Sequence, residues 1–291
     1  MASPPYEGEV AFDAPGIDKP CKTWYKIYGN LESRPGPALI ALHGGPGAGH
    51  EYLSPLIDIY EKYNIPVIFY DQVGCGRSTH FRDRMGDTEF WTFELFLKEL
   101  DNLVDHLQLR AKGFYVFGQS WGGMLGGAYA ALQPQGLRKL ILSGAPASIP
   151  LLAKGARELG DHESEEFETA AKEFYARHVC RLDPYPDDVL RAFENLKDGP
   201  SVYVTMQGPS EFVIVGSFKD WEGWRDAHKI EAETLLLNGR YDEATDQCIK
   251  PWFSHIRRVK WVTLENSNHM AHFEERDRYI QLVGEFLSDS A

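Results

Sequence analysis

Gly118-Gln119-Ser120-Trp121-Gly122 sets a serine among small residues, after the apolar run FYVF and before the glycine-rich apolar stretch WGGMLGGAYAAL. A chain that turns from strand to helix within a couple of residues strains the serine backbone and tolerates only small neighbours. Such a turn lifts the hydroxyl clear of a sheet. It also aims the next backbone N–H, that of Trp121, at the reacting oxygen from a helix N-terminus. A serine hydroxyl is a weak nucleophile until a base takes its proton, and a carboxylate must orient that base. With a serine on a strand-turn-helix, the chain order is serine, acid, histidine. Asp242 and Glu243 follow the run TLLLNG, and His269 follows KWVTLEN. Asp242 is nearer its strand end than Glu243, the fallback acid. His269 is nearer its strand end than its competitor His272. His269, His272 and Glu274 also have the spacing of a metal site, a reading the serine pattern outweighs.

His43-Gly44-Gly45-Pro46-Gly47 comes directly after the apolar run ALIAL. A glycine-rich loop after a strand can cradle phosphate, but neither GxGxxG order nor a GK[ST] ending is present. Paired glycines also let backbone N–H groups converge on one spot and stabilise an oxyanion. With a serine motif in the same chain, Gly44 or Gly45 is the expected donor beside Trp121, and His43 braces the loop. No metal or organic cofactor is implied.

These residues need a scaffold that brings distant loops to one rim. Apolar runs at Ala38–His43, Pro66–Asp71, Gly113–Gly118, Lys139–Gly144, Thr234–Gly239 and Lys260–Asn266 have the length and flanks of strands buried on both faces. Between them, Phe90–Leu109 carries Phe93, Leu97, Leu100, Leu103, Val104 and Leu107 at helical spacing, and Trp121–Leu132 and Phe273–Leu287 read likewise. Gly8–Asp13 and Lys22–Tyr28 suggest an edge hairpin, making eight strands. The alternation predicts an α/β domain with a mostly parallel sheet and helices on both faces. It breaks over residues 146–230, a charged helical stretch that includes the acidic run Glu163–Glu168, expected as a solvated helix face. The expected organisation is a core of residues 1–145 and 231–291 with a helical cap, 146–230, inserted after the sixth strand. Loops at the carboxyl ends of such strands hold the ligand, so the cap would lie over it.

Across 291 residues, acidic side chains outnumber basic ones 43 to 30, a formal charge of −13. That balance argues against nucleic acid or an anionic membrane as the main partner. The uncharged window Gly113–Leu137 is broken by glycines and a proline into a strand-like and a helix-like half, so it does not read as a membrane span. Cys21, Cys75, Cys180 and Cys248 are scattered without a CxxC pair, and the opening MASPPYEGEV has no apolar signal core. The expectation is free thiols in the cytoplasm. No motif specifies an oligomeric state.

HGGPG, Asp71-Gln72-Val73-Gly74-Cys75-Gly76-Arg77-Ser78, GQSWGG, GRYDE and SNH together resemble the α/β-hydrolase fold. More narrowly, they resemble the proline iminopeptidase family of serine aminopeptidases and amino-acid amidases, from about Gly8 to Leu287. The resemblance implies Ser120, Asp242 and His269 as the triad and Gly44, Gly45 and Trp121 around the oxyanion. It assigns Asp71 and Arg77 mainly to bracing. In the family a glutamate in a GPxEF-like segment and the glutamate after the triad acid bind the substrate's α-ammonium; here these are Glu211, in Gly208-Pro209-Ser210-Glu211-Phe212, and Glu243. Aromatic cap residues line the side-chain pocket of proline-selective members, which makes Phe212, Trp221 and Trp224 candidates. The substrate class implied is a small peptide, an amino-acid amide or a related small molecule, cleaved at an amide beside a free amine. An esterase or acyltransferase would share the acyl-enzyme, and a non-catalytic binding protein could share the scaffold.

Overall fold

The computed structural model describes residues 4–159, 172–211 and 213–289. The apolar runs form the middle of one sheet. β3 (Ala38–Leu42), β4 (Val67–Asp71) and β5 (Phe114–Gln119) are buried at every position. β6 (Leu137–Ser143), β7 (Glu233–Gly239) and β8 (Val259–Leu264) follow in parallel register, with β8 at one edge. β1 (Tyr6–Ala11) and β2 (Lys22–Tyr28) form the expected edge hairpin, and β2 joins β4 antiparallel. The order is β1-β2-β4-β3-β5-β6-β7-β8.

Side chains alternate between the sheet faces, and each face has its own core. Ile40, Val116 and Leu140 pack with Leu100 and Leu103 of helix Phe93–His106 and Leu125 and Tyr129 of helix Trp121–Ala131. Leu39, Phe117 and Ile141 pack on the other face with Ile59, Tyr279, Ile280 and Val283.

Two helices depart from the reading of their periodicity. The stripe on Phe93–His106 is turned: Leu95, Phe96 and Glu99 are buried, whereas Phe93, Leu97 and Leu107 are only partly so. Glu99 can turn inward because its Oε1 accepts bonds from Thr23 Oγ1 (2.6 Å) and the Val73 N–H (2.9 Å). The C-terminal stretch is a short helix, Ala271–Glu274, and a longer one, Arg276–Ser288, broken at Glu275. The Glu275 carboxylate accepts the Asn266 N–H (2.9 Å) and the Ser267 hydroxyl (2.6 Å), and so braces the loop leading to His269.

Between β6 and β7 lie helices Ile149–Leu159, Asp187–Asp198 and Pro200–Met206 and a wide turn at Tyr175–Val179, the helical cap that follows the sixth strand. The acidic run Glu163–Glu168 and Phe212 lie outside the described residues. Asn195 of the cap donates to the Ala48 carbonyl (2.9 Å) and to Glu51 Oε2 (3.0 Å), which seats the cap on the segment after β3. Among the described residues no helix is long and apolar enough to cross a membrane.

Candidate active site

Ser120 occupies the turn between β5 and the Trp121–Ala131 helix with φ +55° and ψ −123°. A non-glycine residue held there costs about 1–3 kcal/mol, offset by the surrounding packing. The small neighbours have a visible cause: a Cβ on Gly122 would come within 2.1 Å of the Leu42 carbonyl oxygen. Trp121 is the first residue of its helix, so its N–H has no partner one turn back. Its indole N–H donates to Gln72 Oε1 (2.8 Å), and Gln72 Nε2 donates to the His43 carbonyl (3.1 Å). His43 braces the loop, as expected. Its Nε2 accepts the Gln72 N–H (3.0 Å), which leaves Nδ1–H to donate to the Gly44 carbonyl (3.0 Å). Asp71 also braces: it accepts N–H bonds from His50 (3.0 Å) and Arg77 (2.9 Å).

One expected donor is corrected. The Gly44 N–H donates to the Tyr52 hydroxyl at 2.6 Å and is not free for an oxyanion. The Gly45 N–H has no acceptor among the described residues. The Tyr52 hydroxyl donates to Gln119 Oε1 (2.6 Å), and Gln119 Nε2 donates to the His269 carbonyl (3.3 Å).

The loops after β7 and β8 bring Asp242 and His269 together. Asp242 Oδ1 accepts the Ala244 N–H (2.8 Å) and His269 Nδ1–H (2.7 Å), which leaves His269 Nε2 as the nitrogen turned to the cleft. His272 lies elsewhere, its Nε2 donating to the Tyr52 carbonyl (2.9 Å). Burial pushes its pKa down to about 3, so it stays neutral. Glu274 is occupied by the N–H groups of Arg181 and Asn268 and does not join a metal cluster with the two histidines. The cap touches both loops at one atom: the His178 carbonyl accepts the N–H of Glu243 and of His269, each at 3.2 Å.

Ser120, His269, Gly45, Glu211 and Glu243 line two cavities in common, with about 470 and 330 Å³ of empty volume. Glu211 accepts from the Tyr203 hydroxyl (2.7 Å) and Gln207 Nε2 (3.3 Å). Burial raises its pKa against the pull of Tyr203 and His269. Glu243 Oε1 lies 3.5 Å from His269 Nε2. Burial raises the Glu243 carboxyl against the pull of His269, and Glu211 and Asp242 repel its charge further, to about 8. For His269, burial works downward, but Asp242, Glu243 and Glu211 outweigh it and raise the imidazole to about 9. Among the described residues no lysine or arginine lies within 4.0 Å of Glu211 or Glu243.

The expected aromatic pocket is also corrected. Trp221 stacks on Phe93 with ring centroids 5.0 Å apart and leans on Trp252, while Trp224 lies against His255 (5.0 Å); neither lines the two cavities. They are held in packing between cap and core, as their helical spacing also allowed. Tyr175, Phe193 and Met270 line one cavity, and Phe218, stacked on Trp121 at 5.8 Å, lines the other. Tyr52, Tyr203 and Gly144 belong to no quoted motif. Gln119 sat inside one, as the spacer before the serine.

A sequence model described as the alpha/beta hydrolase fold matches residues 37–276. The chain is 37% identical over 282 residues to a proline iminopeptidase of Saccharolobus solfataricus, a match that spans 91% of this chain and 88% of that protein. The chain belongs to the proline iminopeptidase family. Family likeness extends to the proline iminopeptidase of Thermoplasma volcanium, 33% identical over 86% of this chain and 88% of that one. Among solved structures, VinJ superposes with a TM-score of 0.90 at 38% identity, covering 98% and 99% of the two chains. The proline iminopeptidase of Mycobacterium smegmatis follows at 0.87 and 33%, covering 96% and 97%. This member of the proline iminopeptidase family is therefore an enzyme, a serine hydrolase.

Proposed function

We propose that this enzyme removes an N-terminal residue from a small peptide, or hydrolyses an amino-acid amide, through an acyl-enzyme on Ser120. The observation that carries this reading is the pair Glu211 and Glu243: two carboxylates beside His269, without lysine or arginine, in the cleft that Ser120 lines. Carboxylates in a dry pocket repel one another, and a substrate ammonium relieves that repulsion with charge-assisted hydrogen bonds. With the ammonium held there, the adjacent carbonyl reaches Ser120. His269 takes the hydroxyl proton, Asp242 holds the imidazole, and the N–H groups of Trp121 and Gly45 receive the oxyanion. The leaving amine takes the proton from His269, and water then releases the acyl group.

In this reading residues 146–230 act as one cap over a core of 1–145 and 231–291. The two small cavities favour a compact substrate, with Tyr175, Phe193 and Met270 as one apolar wall and Phe218 as another. Cys21, Cys75, Cys180 and Cys248 are all buried and unpaired, which supports a cytoplasmic location.

The test is a panel of aminoacyl arylamides and amino-acid amides (Pro, Ala, Phe and Trp among them), each assayed free and N-acetylated. Acetylation is expected to lower kcat/KM about 10²-fold or more, since two charge-assisted bonds are lost. Glu211→Gln should lower kcat/KM for the free-amine substrates and not for the acetylated ones. Equal turnover of free and blocked substrates would remove the ammonium site and favour a general esterase.

A further inference from the structure

The base of this site faces an unusual number of acids. His269 Nδ1 bonds Asp242 at 2.7 Å, and Nε2, the nitrogen meant for Ser120, lies 3.5 Å from Glu243 Oε1. Among the described residues no hydrogen bond joins His269 Nε2 to Ser120. Glu211 approaches from the cap and also lines both cavities. The other titratable groups nearby are neutral: His272 three residues on, and the phenols of Tyr175 and Tyr203 beside the two glutamates. With no lysine or arginine within 4.0 Å of either glutamate among the described residues, the His269 imidazole is the basic group these acids face.

An imidazolium cannot take the proton of Ser120. A substrate ammonium entering between Glu211 and Glu243 would be a second cation in a cluster that already has one. We propose that the substrate's ammonium switches on the base: without it, Asp242, Glu243 and Glu211 keep protons on this cluster and His269 stays an imidazolium, and the incoming ammonium replaces those protons as the counter-charge. The Glu243 carboxyl and then the His269 imidazolium give their protons to water, and Nε2 becomes free to accept from the Ser120 hydroxyl. The free amine of the substrate thus does more than anchor it. Bound peptides without that amine leave the base protonated, so they lose kcat as well as affinity.

This inference rests on the roles given above to Ser120, His269 and the two glutamates, and its test separates the two. Diisopropyl fluorophosphate is neutral and needs no ammonium site, so its rate of reaction with Ser120 reports the base directly. In the wild-type protein the labelling rate should rise with pH to a midpoint near the His269 value of about 9. Saturating ethylamine, cationic throughout pH 6–9.5, should move that midpoint down by at least about one unit and speed labelling at pH 7 by about tenfold or more. Glu243→Gln should show the lowered midpoint without any amine. An ordinary imidazole midpoint in the empty wild type overturns the switch while leaving the serine reading intact. So does ethylamine that only slows labelling, or a Glu243→Gln midpoint equal to the wild type. Folded protein that is never labelled at Ser120 overturns the serine reading and the switch with it.

Discussion

Gly144, directly after β6, carries a constraint that no motif displays. A Cβ there would lie 2.9 Å from both Asp242 Oδ2 and His269 Nδ1, and its φ is +50°. The acid–imidazole pair is packed so closely against this backbone that no side chain fits between them. Gly144→Ala is expected to push the pair apart and cut kcat by about 10–10³-fold, with a stability loss of about 1–2 kcal/mol. Single-turnover kinetics and a melting curve check the two parts. A fully active variant would mean that the pair tolerates displacement and does not orient the base. Ser120 was legible because its motif states the strain in its neighbours. Gly144 was not, because the atoms it must avoid arrive from loops about 100 and 125 residues further along the chain.

Loops from four strands make the site, and Tyr52 joins three of them. Its hydroxyl accepts the Gly44 N–H and donates to Gln119, which in turn donates to the His269 carbonyl. This chain of bonds keeps the Gly44–Gly45 loop, the Ser120 turn and the His269 loop in one register. Tyr52→Phe leaves the buried Gly44 N–H and Gln119 Oε1 without their shared partner, at a cost of about 1–3 kcal/mol. The expected kinetic result is a kcat loss of about tenfold with KM nearly unchanged, since the Tyr52 hydroxyl touches the loops and not the ammonium site. A change confined to KM would show that Tyr52 serves binding instead. At this scale the strand and helix runs were readable from apolar length and spacing. The turned face of Phe93–His106 was not, because Thr23 and Val73 supply what Glu99 needs to be buried.

The whole molecule carries Glu99 as a buried carboxyl, its pKa raised by burial to about 8, against the hydrogen bonds from Thr23 and Val73. In the unfolded chain the same group ionises near its ordinary value of about 4.3. The stabilisation tied to its neutral form is therefore complete below that value and is lost as pH rises toward about 8. Glu99→Gln keeps an oxygen for both donors and removes the titration. The stability of the variant relative to wild type should thus rise between pH 5 and pH 8, by up to about 1.4 kcal/mol per pH unit. Thermal unfolding of both proteins across that range measures it, and parallel curves would show that Glu99 stays ionised in the fold. From sequence alone came the α/β alternation, the helical insertion after the sixth strand and the order of serine, acid and histidine, because each depends on local spacing and turn chemistry. Only the folded chain decided that Gly45 rather than Gly44 keeps its N–H free, that Trp221 and Trp224 pack away from the cleft, and that acids surround His269 on both ring nitrogens. Those outcomes depend on which distant groups meet in a dry pocket, and burial and charge act on groups only once they have met.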